Sequence, residues 1–182
     1  MSAETMPRDL LWVDDDDPER FVFERFVLQK DGWRITWARD VVAAARLLEE
    51  QRFDALILDQ MIAGDGVEEQ SVIWSGCHLL RWLRGAKGGA QQTQGDALPW
   101  ARLRTMHSHP ENRAIPAAIV SAYHDADVLR ETLNASEQDK TTLFLGKPVD
   151  VGQLQEFLRS VRDGAANSAA AGDPGGRSRS SS

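Results

Sequence analysis

The sequence holds a single cysteine, Cys77, in 182 residues. One thiol makes neither an intramolecular disulfide nor a cysteine-based zinc site. Long apolar stretches are missing too: no run approaches the roughly 18 residues that mark a membrane-spanning helix. Met1 to Arg8 lacks the charged-then-apolar order of a secretory signal. These absences fit a cytoplasmic protein. Positive charge is scarce, with 21 Lys and Arg against 28 Asp and Glu, a net charge of -7 and a pI of about 5.1. DNA affinity rests on neutralising phosphates, so the balance argues against a broad nucleic-acid surface. Apart from Pro174, the stretch from Gly164 to Ser182 has no apolar side chain larger than alanine. It cannot bury enough surface to offset its ordering entropy and reads as a disordered tail, leaving residues 7–163 as the folded part.

Within that part, short apolar runs alternate with helical patterns. Leu10-Leu11-Trp12-Val13 ends abruptly in Asp14, Asp15, Asp16 and Asp17. Pro18 stands where a first helical turn begins, with Asp17 as its N-cap. Val22, Phe23, Phe26 and Val27 then recur at helical spacing, and Gly32 suits the C′ position. Trp33, Ile35 and Trp37 alternate as in a strand. Asp40 can cap a helix whose inward residues are Val41, Ala44, Ala45, Leu47 and Leu48. Ala55 to Leu58 forms the next run and ends at Asp59. His78 to Leu83 reads as a helix with Leu79, Leu80 and Leu83 inward. Ala117 to Val120 ends at Ser121, and Thr142 to Leu145 precedes Gly146-Lys147-Pro148. A last helix carries Leu154, Phe157, Leu158 and Val161, begun by Asp150 and Gln153 at capping-box spacing. Continuous apolar strands indicate a sheet covered on both faces. With right-handed crossovers, the repeated βα order predicts an open, doubly wound α/β sheet with helices on both faces.

Sites in such sheets form beyond the carboxyl ends of the strands. The residues just after the strands are Asp14, Asp15, Asp59, Ser121 and Lys147. A run of acids is ordinarily a solvated face, but carboxylates held close together either take up protons or bind a cation. Oxygen ligands suit Mg²⁺. Lys147 offers a compact positive charge for Asp59 or for a phosphoryl oxygen, and Ser121 a hydroxyl. A carboxylate can act as a nucleophile and form an acyl phosphate, so the set suits phosphoryl transfer onto Asp59.

Four motifs in order carry a resemblance. Leu11-Trp12-Val13-Asp14-Asp15, Leu58-Asp59-Gln60-Met61-Ile62-Ala63-Gly64-Asp65-Gly66, Ile119-Val120-Ser121-Ala122-Tyr123 and Gly146-Lys147-Pro148 together resemble the receiver domain of two-component response regulators. The likeness spans about residues 8–162. It implies a flavodoxin-like, five-stranded parallel sheet in the order 2-1-3-4-5, with Asp59 as phosphoacceptor. It further implies Mg²⁺ held by Asp15, Asp59 and the Met61 backbone carbonyl, with Asp14 completing the pocket through water. Ser121 and Lys147 would contact the phosphoryl group, and Phe144 would be the aromatic that rotates on phosphorylation. A register using Asp15 and Asp16 as the pocket pair is open, but Asp14 and Asp15 directly follow the strand. Met61 and Tyr123 stand near the phosphoryl entrance of the family, which predicts slow hydrolysis of the acyl phosphate.

The resemblance implies a signalling phosphoacceptor and not an enzyme beyond Mg²⁺-dependent autophosphorylation and slow autodephosphorylation. Its donor would be a sensor histidine kinase or a histidine phosphotransfer protein. After Pro148 there is room for one helix and the tail, so a stand-alone receiver is expected, signalling to an unknown downstream protein. Its switching face would be the fifth strand and the helices flanking it. Direct DNA binding and membrane contact are not expected; a homodimer is compatible. A phosphorylation-independent scaffold is the alternative. A dehalogenase-like phosphohydrolase would place a second acid where Met61 stands.

The interval from Asp59 to Ser121 departs from the pattern, at about twice the family's usual length. The excess divides into an extended loop at about 67–75 and an insertion at about 85–115. The insertion is locally basic, with Lys87, Arg102, Arg104 and Arg113 against Asp96 and Glu111. It reads as a surface loop, or as a docking element. Its His107 and His109 have no accompanying acid or cysteine cluster to complete a metal site. Trp33 and Trp37 are expected in one core layer and Trp82 beside the third helix, while Trp74 and Trp100 fall in the added segments. Cys77 reads as a buried structural thiol.

Overall fold

The computed structural model describes residues 7–62, 76–85, 103, 106–122 and 142–171. Its apolar runs become parallel strands: β1 (Arg8–Val13), β2 (Trp33–Ala38), β3 (Ala55–Asp59), β4 (Ala117–Ser121) and β5 (Thr142–Gly146). They make one sheet in the order β2-β1-β3-β4-β5, the expected doubly wound order. β3 and β4 lie inside the sheet, and all ten of their residues are buried. β2 lies at an edge, which is why its sequence alternates.

Two apolar layers clothe the sheet. On one face Leu11, Val13, Leu56, Leu58, Ala117 and Ile119 meet α2 (Val41–Glu50) and α3 (Gly76–Leu83). On the other, Leu10, Trp12, Ile57 and Val120 meet α1 (Val22–Lys30) and α4 (Val151–Ala171). Each large side chain fully buried here contributes about 1.5–3 kcal/mol before entropy is counted. Trp33 and Trp37 share the second layer, as expected, and Leu79, Leu80 and Leu83 of α3 are buried in the first, with Cys77 beside them.

The first helix differs from its sequence pattern. Asp17 caps a 3-10 turn, Pro18–Phe21, by accepting the Glu19 N–H at 3.1 Å, and α1 follows. Phe21 and Leu28, seven residues apart, enter the core, whereas Val22, Phe23 and Phe26 face solvent. The rotation is set by Phe21, whose ring lies 5.2 Å from Trp12 and 5.5 Å from Trp37. Gly32, at φ 88°, then takes the left-handed turn into β2. In α2, Asp40 caps the Ala43 N–H at 2.7 Å as expected, but Val42 is buried and Leu47 only partly so.

The described end of the insertion is anchored. Leu103 is buried, its carbonyl accepts Trp82 Nε1 at 3.0 Å, and Met106 packs on the α2–α3 layer. A 3-10 turn, Pro110–Ala114, holds Asn112, which is fully buried. Asn112 Oδ1 accepts the Phe53 N–H at 2.9 Å, and Nδ2 donates to the carbonyls of Leu48 and Gln51, both at 2.8 Å. The His109 N–H also donates to Leu48 O, at 2.8 Å. These bonds satisfy carbonyls at the end of α2 that the helix cannot satisfy itself. A loose surface loop is therefore not what this part forms.

α4 begins after Asp150, which accepts the Gln153 N–H at 3.1 Å, and runs beyond Gly164 to Ala171. Alanine-rich sequence favours helix even with little to bury. The extended loop at 67–75, Trp74, Trp100, Lys87, Arg102, Arg104 and residues 123–141, with Tyr123, lie outside the described residues, as does 172–182. Among the described residues no helix is long and apolar enough to cross a membrane.

Candidate functional site

Strand register brings the candidate residues together. Val13 pairs with Leu58, Asp59 with Val120, and Ser121 with Gly146. The strand ends therefore emerge on one rim, carrying Asp14, Asp59, Ser121 and Lys147 to the same place. The Lys147 N–H donates to the Ser121 carbonyl at 2.7 Å, which fixes the turn, and the Lys147–Pro148 peptide is cis.

On that rim, carboxylate oxygens of Asp14, Asp15 and Asp59 all lie within 4.8 Å of one another. Lys147 Nζ donates to Asp59 Oδ2 at 2.9 Å and to Asp14 Oδ2 at 3.2 Å. Asp14 Oδ1 accepts the Asp16 N–H at 3.0 Å, and Asp59 Oδ1 accepts the Met61 N–H at 3.3 Å. Asp16 pairs with Arg20 at 2.5 Å and reaches Lys147 only at 3.8 Å, so the cluster is built on Asp14 and Asp15. Asp14 is 1% exposed and Asp59 5%, while Asp15 is open to solvent. Ser121 is buried, Met61 is exposed just after Asp59, and Phe144 on β5 is half-buried against the α2–α3 layer. His107 and His109 belong to no potential metal-binding group of three among the described residues.

One ammonium among three carboxylates leaves the site short of positive charge. Burial pushes the Asp59 carboxyl above its ordinary range, aided by the charge of Asp15, although Lys147 and the Met61 N–H pull the other way. Burial likewise raises Asp14, with Asp59 adding to the effect against the Asp16 N–H and Lys147. Burial would lower Lys147, but Asp59 and Asp14 outweigh it and raise it. The acids are thus undercompensated while the lysine is held charged. A hard divalent cation with oxygen ligands fits this donor set, with two recessed carboxylates and one open to solvent.

Four further residues border the site. Trp37 Nε1 donates to the Asp14 carbonyl at 3.1 Å. The Phe21 ring lies 5.9 Å from Lys147 Nζ, and Trp12 stacks on Trp37 at 5.2 Å. Gly76 lies against the main chain of Asp59. Only the strand alternation that aligns Trp37 with Trp12 hints at any of these.

No family model matches the sequence, and no curated protein matches it. Solved structures do match. The signal receiver domain of a protein assigned as a Luxo repressor from Vibrio parahaemolyticus is 14% identical, covering 93% of this chain and 100% of its own, with a TM-score of 0.62. A Francisella response regulator receiver domain is 19% identical, covering 87% and 99%, with a TM-score of 0.58. The receiver domain of a sensor histidine kinase from Pseudomonas aeruginosa, which holds a magnesium ion in its active site cleft, is 21% identical, covering 85% and 98%, with a TM-score of 0.50. The chain has the CheY-like fold of response regulator receiver domains.

Proposed function

We propose that this chain is a phosphoacceptor response regulator of a two-component or phosphorelay pathway, phosphorylated on Asp59. The observation that carries the reading is Lys147 bonded to both Asp59 and Asp14 inside a three-carboxylate cluster at the strand ends. Asp14, Asp15, Asp59 and the Met61 carbonyl would hold Mg²⁺, which supplies charge neutralisation for the phosphoryl oxygens. Asp59 attacks the phosphorus of a phosphohistidine, and the phosphorus–nitrogen bond breaks as the acyl phosphate forms. Lys147 passes from the Asp59 carboxylate to a phosphoryl oxygen, and the Ser121 hydroxyl hydrogen-bonds another. Drawing Ser121 inward frees space for Phe144 to rotate, a local charge change biasing a two-state element. Exposed Met61 hinders water from reaching the acyl phosphate, so hydrolysis is slow.

The donor is a sensor histidine kinase or a histidine phosphotransfer protein, and the output passes by protein–protein contact. The test is intact mass after incubation with acetyl phosphate and Mg²⁺, beside an Asp59→Asn control. One phosphoryl group on the wild type and none on the variant is expected. No adduct, repeated with a phosphohistidine donor, overturns the reading in favour of a phosphorylation-independent scaffold.

A further inference from the structure

The helical stripe that the sequence offers as a core face lies outside the core. Val22 is 59% exposed, Phe23 66% and Phe26 55%. With exposed Glu19 and Lys30 they fall at i, i+3, i+4, i+7 and i+11, one continuous face of the Pro18–Phe21 turn and α1. Phe21 and Leu28, on the opposite side, already satisfy what the sheet requires. Two phenylalanines and a valine side by side in water are a contiguous apolar patch, and such patches mark contact surfaces.

We propose that this face is where two copies of the chain associate, α1 against α1 and antiparallel. The stripe is acidic at its start, Glu19, and basic at its end, Lys30, whose Nζ lies 5.0 Å from the Phe26 ring. Running two copies in opposite directions brings Phe23 level with Phe26 of the second copy and, in the same register, Glu19 level with its Lys30. Both contacts are repeated by the two-fold axis, so each side chain counts twice. A parallel pairing would set Glu19 against Glu19 and Lys30 against Lys30, which like charges oppose. The patch is thus self-complementary in one orientation only. This contact does not depend on phosphorylation of Asp59, although Phe21, on the opposite side of the same segment, lies 5.9 Å from Lys147 Nζ.

Sedimentation equilibrium of the full chain over a wide concentration range tests it. A monomer–dimer equilibrium is expected, weakened by about a hundred-fold or more in Phe23→Glu. Glu19→Lys and Lys30→Glu should each weaken it by about three- to ten-fold, and the two together should restore it. All three positions are exposed, so the variants fold, and unchanged melting confirms that. A chain that stays monomeric at every concentration overturns the proposal and leaves the stripe to a different protein. So does a dimer indifferent to Phe23→Glu, or a double variant no stronger than the single ones.

Discussion

Gly76 opens α3 directly on the main chain of Asp59. A β-carbon on it would overlap the Asp59 carbonyl oxygen and stand 2.9 Å from Leu58 Cβ, closer than real contacts allow. Glycine is required here by space. Any larger residue must push α3 outward or shift the end of β3, and the carboxylate travels with that strand end. A misplacement of about 1 Å in a reacting group is enough to cost about a hundred-fold in rate. Gly76→Ala should therefore slow phosphoryl uptake from acetyl phosphate by at least about ten-fold. Gly164→Ala, where a β-carbon meets nothing within 4 Å, should leave the rate unchanged. Equal rates in wild type and Gly76→Ala would show that the contact does not position Asp59.

The crowding of carboxylates has a measurable cost. Asp14 and Asp59 are both raised above 3.8, chiefly by burial. A carboxyl raised in the folded state binds protons more tightly there than when unfolded, so stability falls as pH rises through the window above 3.8. The cost therefore grows from acid towards neutral pH. Asp14→Asn removes one of the two buried charges and leaves Lys147 paired with Asp59. In the presence of a chelator the variant should melt higher than wild type at pH 7, with the gap closing as pH drops through that window. Adding Mg²⁺ should reverse the order, because a ligand held only by the folded state raises its stability. A variant that melts lower than wild type with chelator at pH 7 would contradict this.

Asn112 stitches the insertion to the far end of the domain. Replacing it with alanine leaves the Phe53 N–H and the Gln51 carbonyl without their side-chain partner; Leu48 O keeps its bond from His109. Losing this buried network should cost about 3 kcal/mol, or a drop in melting temperature of about 6–12 °C. Asn112→Asp should do at least as badly, since an oxygen then faces two carbonyl oxygens. The strand-end acids lie at the other end of the sheet, so both variants should still take up phosphoryl groups below their melting points. Melting curves paired with intact mass separate the two effects.

Where side-chain chemistry and burial point the same way, the sequence is easy to read. The last four residues of β1, and β3 and β4 up to their final residue, are apolar because both faces of an interior strand are covered, and their ends are marked by an abrupt acid or hydroxyl. That is also why residue order alone gathers Asp14, Asp15, Asp59, Ser121 and Lys147 on one rim. α1 shows the limit. Its spacing identifies a helix with an apolar stripe, but spacing alone does not say which face meets the sheet. Phe21, outside the regular helix, decides it by lodging beside Trp12 and Trp37. Asn112 is illegible for a different reason: a lone amide in a Pro-flanked segment looks like turn chemistry, and its partners are 59 to 64 residues away. Gly76 is not legible as a close contact, because proximity to Asp59 depends on how α3 crosses the sheet.

Trp37 links the acid cluster to the aromatic group of Trp12 and Phe21. Its Nε1 donates to the Asp14 carbonyl at 3.1 Å, and its ring stacks on Trp12, whose own Nε1 is buried without a hydrogen-bond partner among the described residues. Phe21 completes the group and lies 5.9 Å from Lys147 Nζ. Indole emission responds to nearby charge and to the polarity of the N–H contact. Loading a cation onto Asp14 and Asp59, or moving Lys147 onto a phosphoryl group, changes both. Tryptophan fluorescence should therefore change on titration with Mg²⁺ and again with acetyl phosphate. Trp37→Phe keeps the aromatic packing but loses the bond to Asp14, and should remove most of the Mg²⁺-induced change while preserving phosphoryl uptake by intact mass. A full-size Mg²⁺ response in Trp37→Phe would place the reporter elsewhere and break the proposed link between the aromatic group and the acid cluster.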